Sequence, residues 1–313
     1  MKAWLIYDPE GADRNSDYIK YHFELGKKYG IEFELIYAGS YHDLPCRGGV
    51  SDHKKGMSDF APKFAPDPAP EFALVRTINP DINKYLEDNG IRAYNNYRVS
   101  YITNHKGRCI DYVAECTDVP VIPTETITRT GAVSPELIIK KHPGYVIKPA
   151  SSHGGKNVMR IPADAPCGQL LDSVEVILGH DDLILQPFIE GPTDERGRRI
   201  AADVRVYVIG RQIIAAVKRQ ITVGSGSEFR ANASLGADVE SYNLSAHEIS
   251  LVEKITDKFD FGMVGIDFIL DKNNDFIFSE IEDVVGARML YKTHPDIDIL
   301  DKYIRHILKT LTG

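Results

Sequence analysis

The chain reads as a mixed α/β (α+β) protein, and three stretches carry that reading. Its first forty residues run strand, helix, strand (Ala3 to Tyr7, Ser16 to Lys28, Glu32 to Tyr37), a βαβ opening that calls for a parallel sheet. Farther on, Tyr145 to Pro149 is a strand running into SSHGGKNV, so the order is strand, glycine-rich loop, strand. A third stretch, Gly262 to Gly286, sets a turn-rich Asp271 to Asp275 between the apolar Met263 to Leu270 and the alternating Phe276 to Glu282, which spells a hairpin.

The remaining elements follow from punctuation and periodicity. The first helix stops near Gly30, and from Gly39 to Pro70 five prolines and a loss of periodicity predict a long surface loop. Phe72 to Thr77 is a strand, Asp81 to Asn89 a helix ended by Gly90, and Ala93 to Tyr94 a further short strand, which together complete a small α/β domain over residues 1–100. A helix over Asn104 to Thr117 follows. Leu183 to Ile189, Asp203 to Ile209 and Gln212 to Gln220 are strand-like, while Ala246 to Phe259 and Ile297 to Leu311 are amphipathic helices.

Composition narrows the function. The 313 residues suffice for two domains with a sizeable core, and 37 Lys and Arg against 45 acids, a formal charge of −8, argue against a dedicated nucleic-acid binder. MKAWLIYDPE meets an acid too early for a secretory signal, and no stretch nears the ~18 apolar residues of a membrane span, so no membrane association and a cytoplasmic location are expected. Cys46, Cys109, Cys116 and Cys167 form no CxxC pair and read as buried free thiols.

Three segments carry chemistry. The hairpin can set Asp267 opposite Glu280, and the two-residue strand period puts Glu280 and Glu282 on one face. Three converging carboxylates ask for a hard divalent cation shared with a polyphosphate; the competing reading is a solvated acidic turn. Lys148 ends the strand before Ser151 to Asn157, a loop whose backbone N–H groups at Ser152, His153, Gly154 and Gly155 suit phosphate oxygens, against the plainer reading of a hairpin turn. GxxxxGK[ST] is absent, and GSGSEF fails the dinucleotide pattern at its third glycine. Finally, Asp203 to Asn232 spreads Arg205, Lys218, Arg219 and Arg230 over two strands and a loop. Strand alternation pairs Asp203 with Arg205 and Lys218 with Gln220, with Arg219 facing away from Lys218. If Arg205, Lys218 and Arg230 line one cleft, they bind triphosphate and a carboxylate; otherwise they form a solvated sheet face.

Taken in order, NHKGRCIDYVAE, VIKPASSHGGKNV, LILQPFIEG, ADVRVYVIGRQIIAAVKR, EFRANASLGA, MVGIDFILD and FIFSEIED resemble the ATP-grasp superfamily. Within it they resemble the branch that contains ribosomal protein S6 glutamate ligase, the lysine-biosynthesis carrier-protein ligases and glutathione synthetase. The resemblance covers roughly two thirds of the chain and implies an ATP-grasp fold: a pre-ATP domain over 1–100, a lid subdomain over 101–185 and a nucleotide- and metal-binding subdomain over 186–313. It implies ATP and Mg2+, or Mn2+, as cofactors. Lys106 and Lys148 would meet the nucleotide phosphates, with Lys218 of the basic strand added to the nucleotide site if the cleft forms; Gln186 and the backbone of Pro187, Phe188 and Ile189 would hold adenine, and Glu190 the ribose. Arg205, Arg219 and Arg230 would face phosphate or the acceptor carboxylate, Asn232 would fill the family's loop asparagine position, and Asp267, Glu280 and Glu282 would hold the metal. Arg76 lies where such enzymes often carry an arginine near the acceptor.

The sequence departs from the branch at three places. Glu282 stands where asparagine is usual, DVVGARM replaces Ser-Pro-Gly, and the hinge reads Gln-Pro-Phe in place of Gln-Glu-Tyr. The implied activity is ATP-dependent joining of a carboxylate, small-molecule or peptide, to an amine through an acyl phosphate. Two alternatives stay open: an ATP-grasp kinase, and a nucleotide-binding regulator without turnover. Dimerisation through the N-terminal domain is expected by analogy.

Overall fold

The computed structural model describes residues 1–38, 69–131, 133–152, 157–161, 168–222 and 237–312. Most of the proline-rich stretch from Gly39 to Pro70, together with Cys46 and Cys167, lies outside the described residues. Two compact units emerge: Met1–Tyr101 with Phe261–Met263 and Leu300–Gly313, and Ile102–Asp260 with Val264–Ile299.

The first unit is built on four parallel strands, β1 (Lys2–Tyr7), β2 (Glu32–Tyr37), β3 (Phe72–Val75) and β4 (Arg92–Tyr94), in the order β2-β1-β3-β4. AWLIY and FALV are buried almost end to end, as a parallel strand covered on both faces must be. The helix Ser16–Tyr29 stops at Gly30, whose φ of 69° is open to a residue without Cβ, and Asn79 caps the helix Pro80–Asp88. The closing helix Ile299–Thr312 belongs largely to this unit: Tyr303 meets the Tyr94 ring edge-on, and Asp301 accepts from Lys28 and Tyr29.

The second unit contains two sheets. One, ordered β5-β8-β6-β7, joins β5 (Glu125–Ile127), β6 (Val146–Pro149), β7 (Met159–Arg160) and β8 (Leu183–Gln186) in antiparallel pairs. Ile138 and Ile139 of the helix Pro135–Lys141 and Val174 and Ile177 of the helix Gly168–His180 pack with Ile147, Leu183 and Leu185 into its core. The other, ordered β11-β10-β9-β12-β13, joins β9 (Ile200–Ile209), β10 (Gln212–Thr222), β11 (Asp238–Tyr242), β12 (Met263–Leu270) and β13 (Phe276–Glu282). Gly210, at φ 59°, turns β9 into β10.

The β12–β13 hairpin forms over the residues expected. Asp271 accepts from the backbone N–H of Asn273 and of Asp275, and Asn274 takes the left-handed conformation the turn needs. Its register pairs Asp267 with Glu280 and then Phe268 with Phe278, so Ser279 is an extra residue in a bulge. Below it, Phe268 stacks on Phe276 with ring centres 4.7 Å apart and meets Phe278 edge-on. Among the described residues no helix is long and apolar enough to cross a membrane.

Two outcomes follow from this packing. Phe268→Ala empties a fully buried position and is expected to cost about 3–5 kcal/mol of unfolding free energy in urea titrations with an unchanged m value. At Gly107 an added Cβ would collide with the Thr126 hydroxyl, so Gly107→Ala lowers the melting temperature and the double variant Gly107→Ala/Thr126→Ala regains most of the loss.

Candidate functional site

One face of the larger sheet concentrates charge. Asp203 and Arg205 project from it on β9; register sets Arg219 of β10 opposite Asp203, Glu280 opposite Asp267 and Glu282 opposite Gly265. Lys218 stands opposite Val204, on the other face, and pairs with Glu240 at 3.2 Å. The structure therefore brings Arg219, and not Lys218, beside Arg205: a one-residue step along β10 changes the face.

The charges on this face are paired in detail. Arg205 donates from Nε to Asp267 Oδ1 at 2.8 Å, from Nη2 to Oδ2 at 2.6 Å, and approaches Glu282 Oε2 with Nη1 at 2.8 Å. Arg219 donates from Nε to Asp203 Oδ1 at 2.5 Å and from Nη2 to Asp267 Oδ2 at 2.8 Å. Burial works against charge at Asp203, Arg205, Arg219 and Glu282. At Arg205 the carboxylates of Asp267 and Glu282 outweigh it and hold the guanidinium pKa well above its ordinary value. At Asp203 burial wins over Arg219 and pushes the carboxyl up to about 6, and at Glu282 it also raises the pKa against the pull of Arg205.

Asp267, Glu280 and Glu282 each offer an oxygen, and these lie within 4.8 Å of one another. Hard oxygen donors this close, all three on one bulged hairpin, fit a magnesium-type ion.

The lysines reach this place from the smaller sheet and its neighbouring helix. Lys106 opens the helix Lys106–Cys116, capped by His105, whose Nδ1 accepts from Arg108 N–H. Its Nζ lies 3.3 Å from Glu280 Oε2 and donates to the Ser152 carbonyl. Lys148 on β6 is only 8% exposed; burial lowers its pKa to about 8, with Glu280 pulling the other way. Two buried ammonium groups on the side of a carboxylate cluster are a fit for polyphosphate.

Ser152 is the last described residue of the glycine loop before 157; His153, Gly154 and Gly155 lie outside the described residues, as do Arg230, Asn232 and the Gly224 to Ser227 segment. What holds the loop's root is clear, and sequence reasoning missed it. Asp181 accepts from Ser151 N–H at 2.7 Å and from its hydroxyl at 3.2 Å. Asp182 faces His105 Nε2 at 3.3 Å and accepts from Arg129 N–H at 2.9 Å, while its carbonyl accepts from Ala150 N–H. The Asp-Asp pair between a helix end and a strand was the available signal.

The hinge residues lie past β8. Gln186 is buried and donates to Thr124 Oγ1 at 2.9 Å; Phe188 carries the Arg160 guanidinium 4.0 Å above its ring; Ile189 is half-buried; Glu190, exposed, pairs with Arg199 at 2.7 Å. Beside Glu282, buried Asp283 accepts from Asn104 Nδ2 at 3.1 Å, a contact between residues far apart in sequence. Arg76 is buried in the first unit, over the Tyr18 ring.

Known proteins share the fold that carries these residues. A RimK-like ATP-grasp domain model matches residues 105–307. The chain is 28% identical over 238 residues to the uncharacterized protein MG011 of Mycoplasma genitalium, covering 76% of this chain and 74% of that one. A probable alpha-L-glutamate ligase of Mannheimia succiniciproducens is 27% identical over 161 residues, 51% of this chain and half the length of that ligase. Among solved structures, D-cycloserine synthetase DcsG superposes with a TM-score of 0.69 at 14% identity over 99% of this chain and 100% of its own. D-alanine–D-alanine ligase from Bacillus anthracis, solved with ATP, gives 0.65 at 13% identity over 100% and 97%. Identities this low carry the fold, and the fold is ATP-grasp over the whole chain. With that fold, and with a family model running unbroken from the capping His105 through both lysines and the carboxylate hairpin, the chain belongs to the RimK-like ATP-grasp family.

Proposed function

We propose that the protein is an ATP-dependent carboxylate–amine ligase, acting on a small-molecule or peptide carboxylate and forming an amide with release of ADP and phosphate. The observation that carries this reading is the meeting of Lys106, Lys148 and the Asp267–Glu280 pair at one point of the second unit. Asp267 and Glu280 would hold Mg2+ or Mn2+, which when bound neutralises phosphate charge and orients the triphosphate. Lys106 and Lys148 would bind phosphate oxygens, and Gln186, Phe188, Ile189 and Glu190 would line the adenosine end.

In this scheme the substrate carboxylate attacks the γ-phosphate, giving an acyl phosphate and ADP. An amine then attacks the acyl carbon, phosphate leaves, and the amine gives up a proton. The chain's task is to bring two anions together and to keep water away. Lys106 serves the first need because its helix start and its contact with the Ser152 carbonyl tie it to the loop root. Asp181 and Asp182 serve the second by anchoring that root.

Purified protein given ATP, Mg2+ and a panel of amino acids and peptides is expected to release phosphate only when both a carboxylate and an amine are present. A stable phosphorylated product would make it a kinase, and tight ATP binding without turnover a regulator. Asp267→Asn and Glu280→Gln should each abolish metal-dependent turnover with an unchanged circular dichroism spectrum; activity retained in both would remove the metal assignment. A pH dependence also follows. Lys148, with its pKa lowered to about 8, loses its charge as pH rises through that value, so ATP affinity is full below it. Between pH 8 and 9 the ATP Kd is expected to rise by up to roughly tenfold, and Lys148→Arg, charged throughout, should flatten the profile.

A further inference from the structure

Glu282 stands where the resembling branch carries asparagine, and its charge has a partner. The guanidinium of Arg205 occupies a three-sided seat. Asp267 takes Nε and Nη2 at 2.8 and 2.6 Å, and Glu282 takes Nη1 at 2.8 Å. The floor of the seat is Gly265: a Cβ there would lie 3.1 Å from Arg205 Cδ and 3.3 Å from Nε, besides meeting Val285. Gly265 is opposite Glu282 in the hairpin register and two residues from Asp267, so the floor and both walls share one sheet face.

The lone pairs of Asp267 show what the seat does. Its Oδ2 accepts from Arg205 Nη2 and from Arg219 Nη2, which uses both lone pairs; Oδ1 accepts from Arg205 Nε and keeps one lone pair. That remaining pair, with Glu280 across the hairpin, is what a cation can take. Glu282 Oε2 already accepts from Nη1 of an arginine that is 5% exposed, and drawing that oxygen over to a cation would leave a buried guanidinium with Asp267 alone.

We propose that Glu282 is a positioning residue for Arg205 and not a cation ligand: Asp267 and Glu280 hold the ion, and Glu282 holds the guanidinium against Asp267 and cancels its charge. This rests on the reading of Asp267 and Glu280 as cation ligands. Arg205 and Glu282 then form a neutral unit. Removing one alone changes the charge beside the ion, whereas removing both does not.

The test is Mn2+ binding to the nucleotide-free protein, followed by electron paramagnetic resonance, with folding of each variant checked by circular dichroism. Glu280→Gln should weaken binding by about tenfold or more. Glu282→Gln should weaken it, Arg205→Gln should tighten it, and the double variant Arg205→Gln/Glu282→Gln should return to within about threefold of wild type. A double variant still about tenfold weaker than wild type overturns the proposal, because it means that a ligand was lost. A crystal structure of the wild-type protein with Mg2+ and ADP decides the matter without any variant: Glu282 still on Arg205 and outside the coordination sphere supports the proposal, and an Mg–O distance of about 2.1 Å to Glu282 overturns it. Wild-type protein that binds no more Mn2+ than Asp267→Asn/Glu280→Gln would overturn the cation reading itself, and this proposal with it. Binding in which only Glu282 fails its expectation would spare that reading.

Discussion

The bidentate contact between Arg205 and Asp267 is the constraint around which the candidate site is arranged. Asp267 is 3% exposed, and an ionised carboxylate at that depth is stable only with cations and hydrogen bonds around it. Two guanidiniums, from Arg205 and Arg219, supply them, and each guanidinium needs a second acid, Glu282 for one and Asp203 for the other. The result is a chain of alternating charges across β10, β9, β12 and β13, each link set by strand register. Such a network is rigid because no member can move without exposing a buried neighbour to an uncompensated charge.

The smaller sheet is tied down at a different place. There the glycine loop leaves β6 through Pro149 and Ala150, and its root is held by two adjacent residues: the Asp181 carboxylate accepts from Ser151, and the Asp182 carbonyl accepts from Ala150 N–H, with the Asp182 carboxylate facing His105. Lys106 links the two halves, reaching the loop at the Ser152 carbonyl and the larger sheet at Glu280. Any displacement of Lys106 therefore acts on both.

The departures from the resembling branch acquire different weights in the folded chain. Glu282 is absorbed by Arg205 and adds no uncompensated charge. The stretch after it, DVVGARM, places buried Asp283 against Asn104 and buried Val285 against the Gly265 position, so a segment read as a difference in the acceptor region is also part of the packing beneath the charged face. In the hinge, Pro187 has no N–H to donate, and Phe188 carries Arg160 on its ring, an aromatic contact that the Gln-Pro-Phe spelling did not announce.

Local sequence was sufficient for what depends on local physics. The βαβ opening, the β12–β13 hairpin and the opposition of Asp267 to Glu280 follow from strand periodicity and turn chemistry, and the ordered motifs indicated an ATP-grasp chain. Tertiary structure alone decided the pairings. That Arg219 and not Lys218 joins Arg205, that Asp181 and Asp182 anchor the loop, and that Glu282 answers to Arg205 all depend on which strands become neighbours. Composition marks a residue as charged; only its distance from other buried charges, in a medium that screens them poorly, determines which one it must pair with.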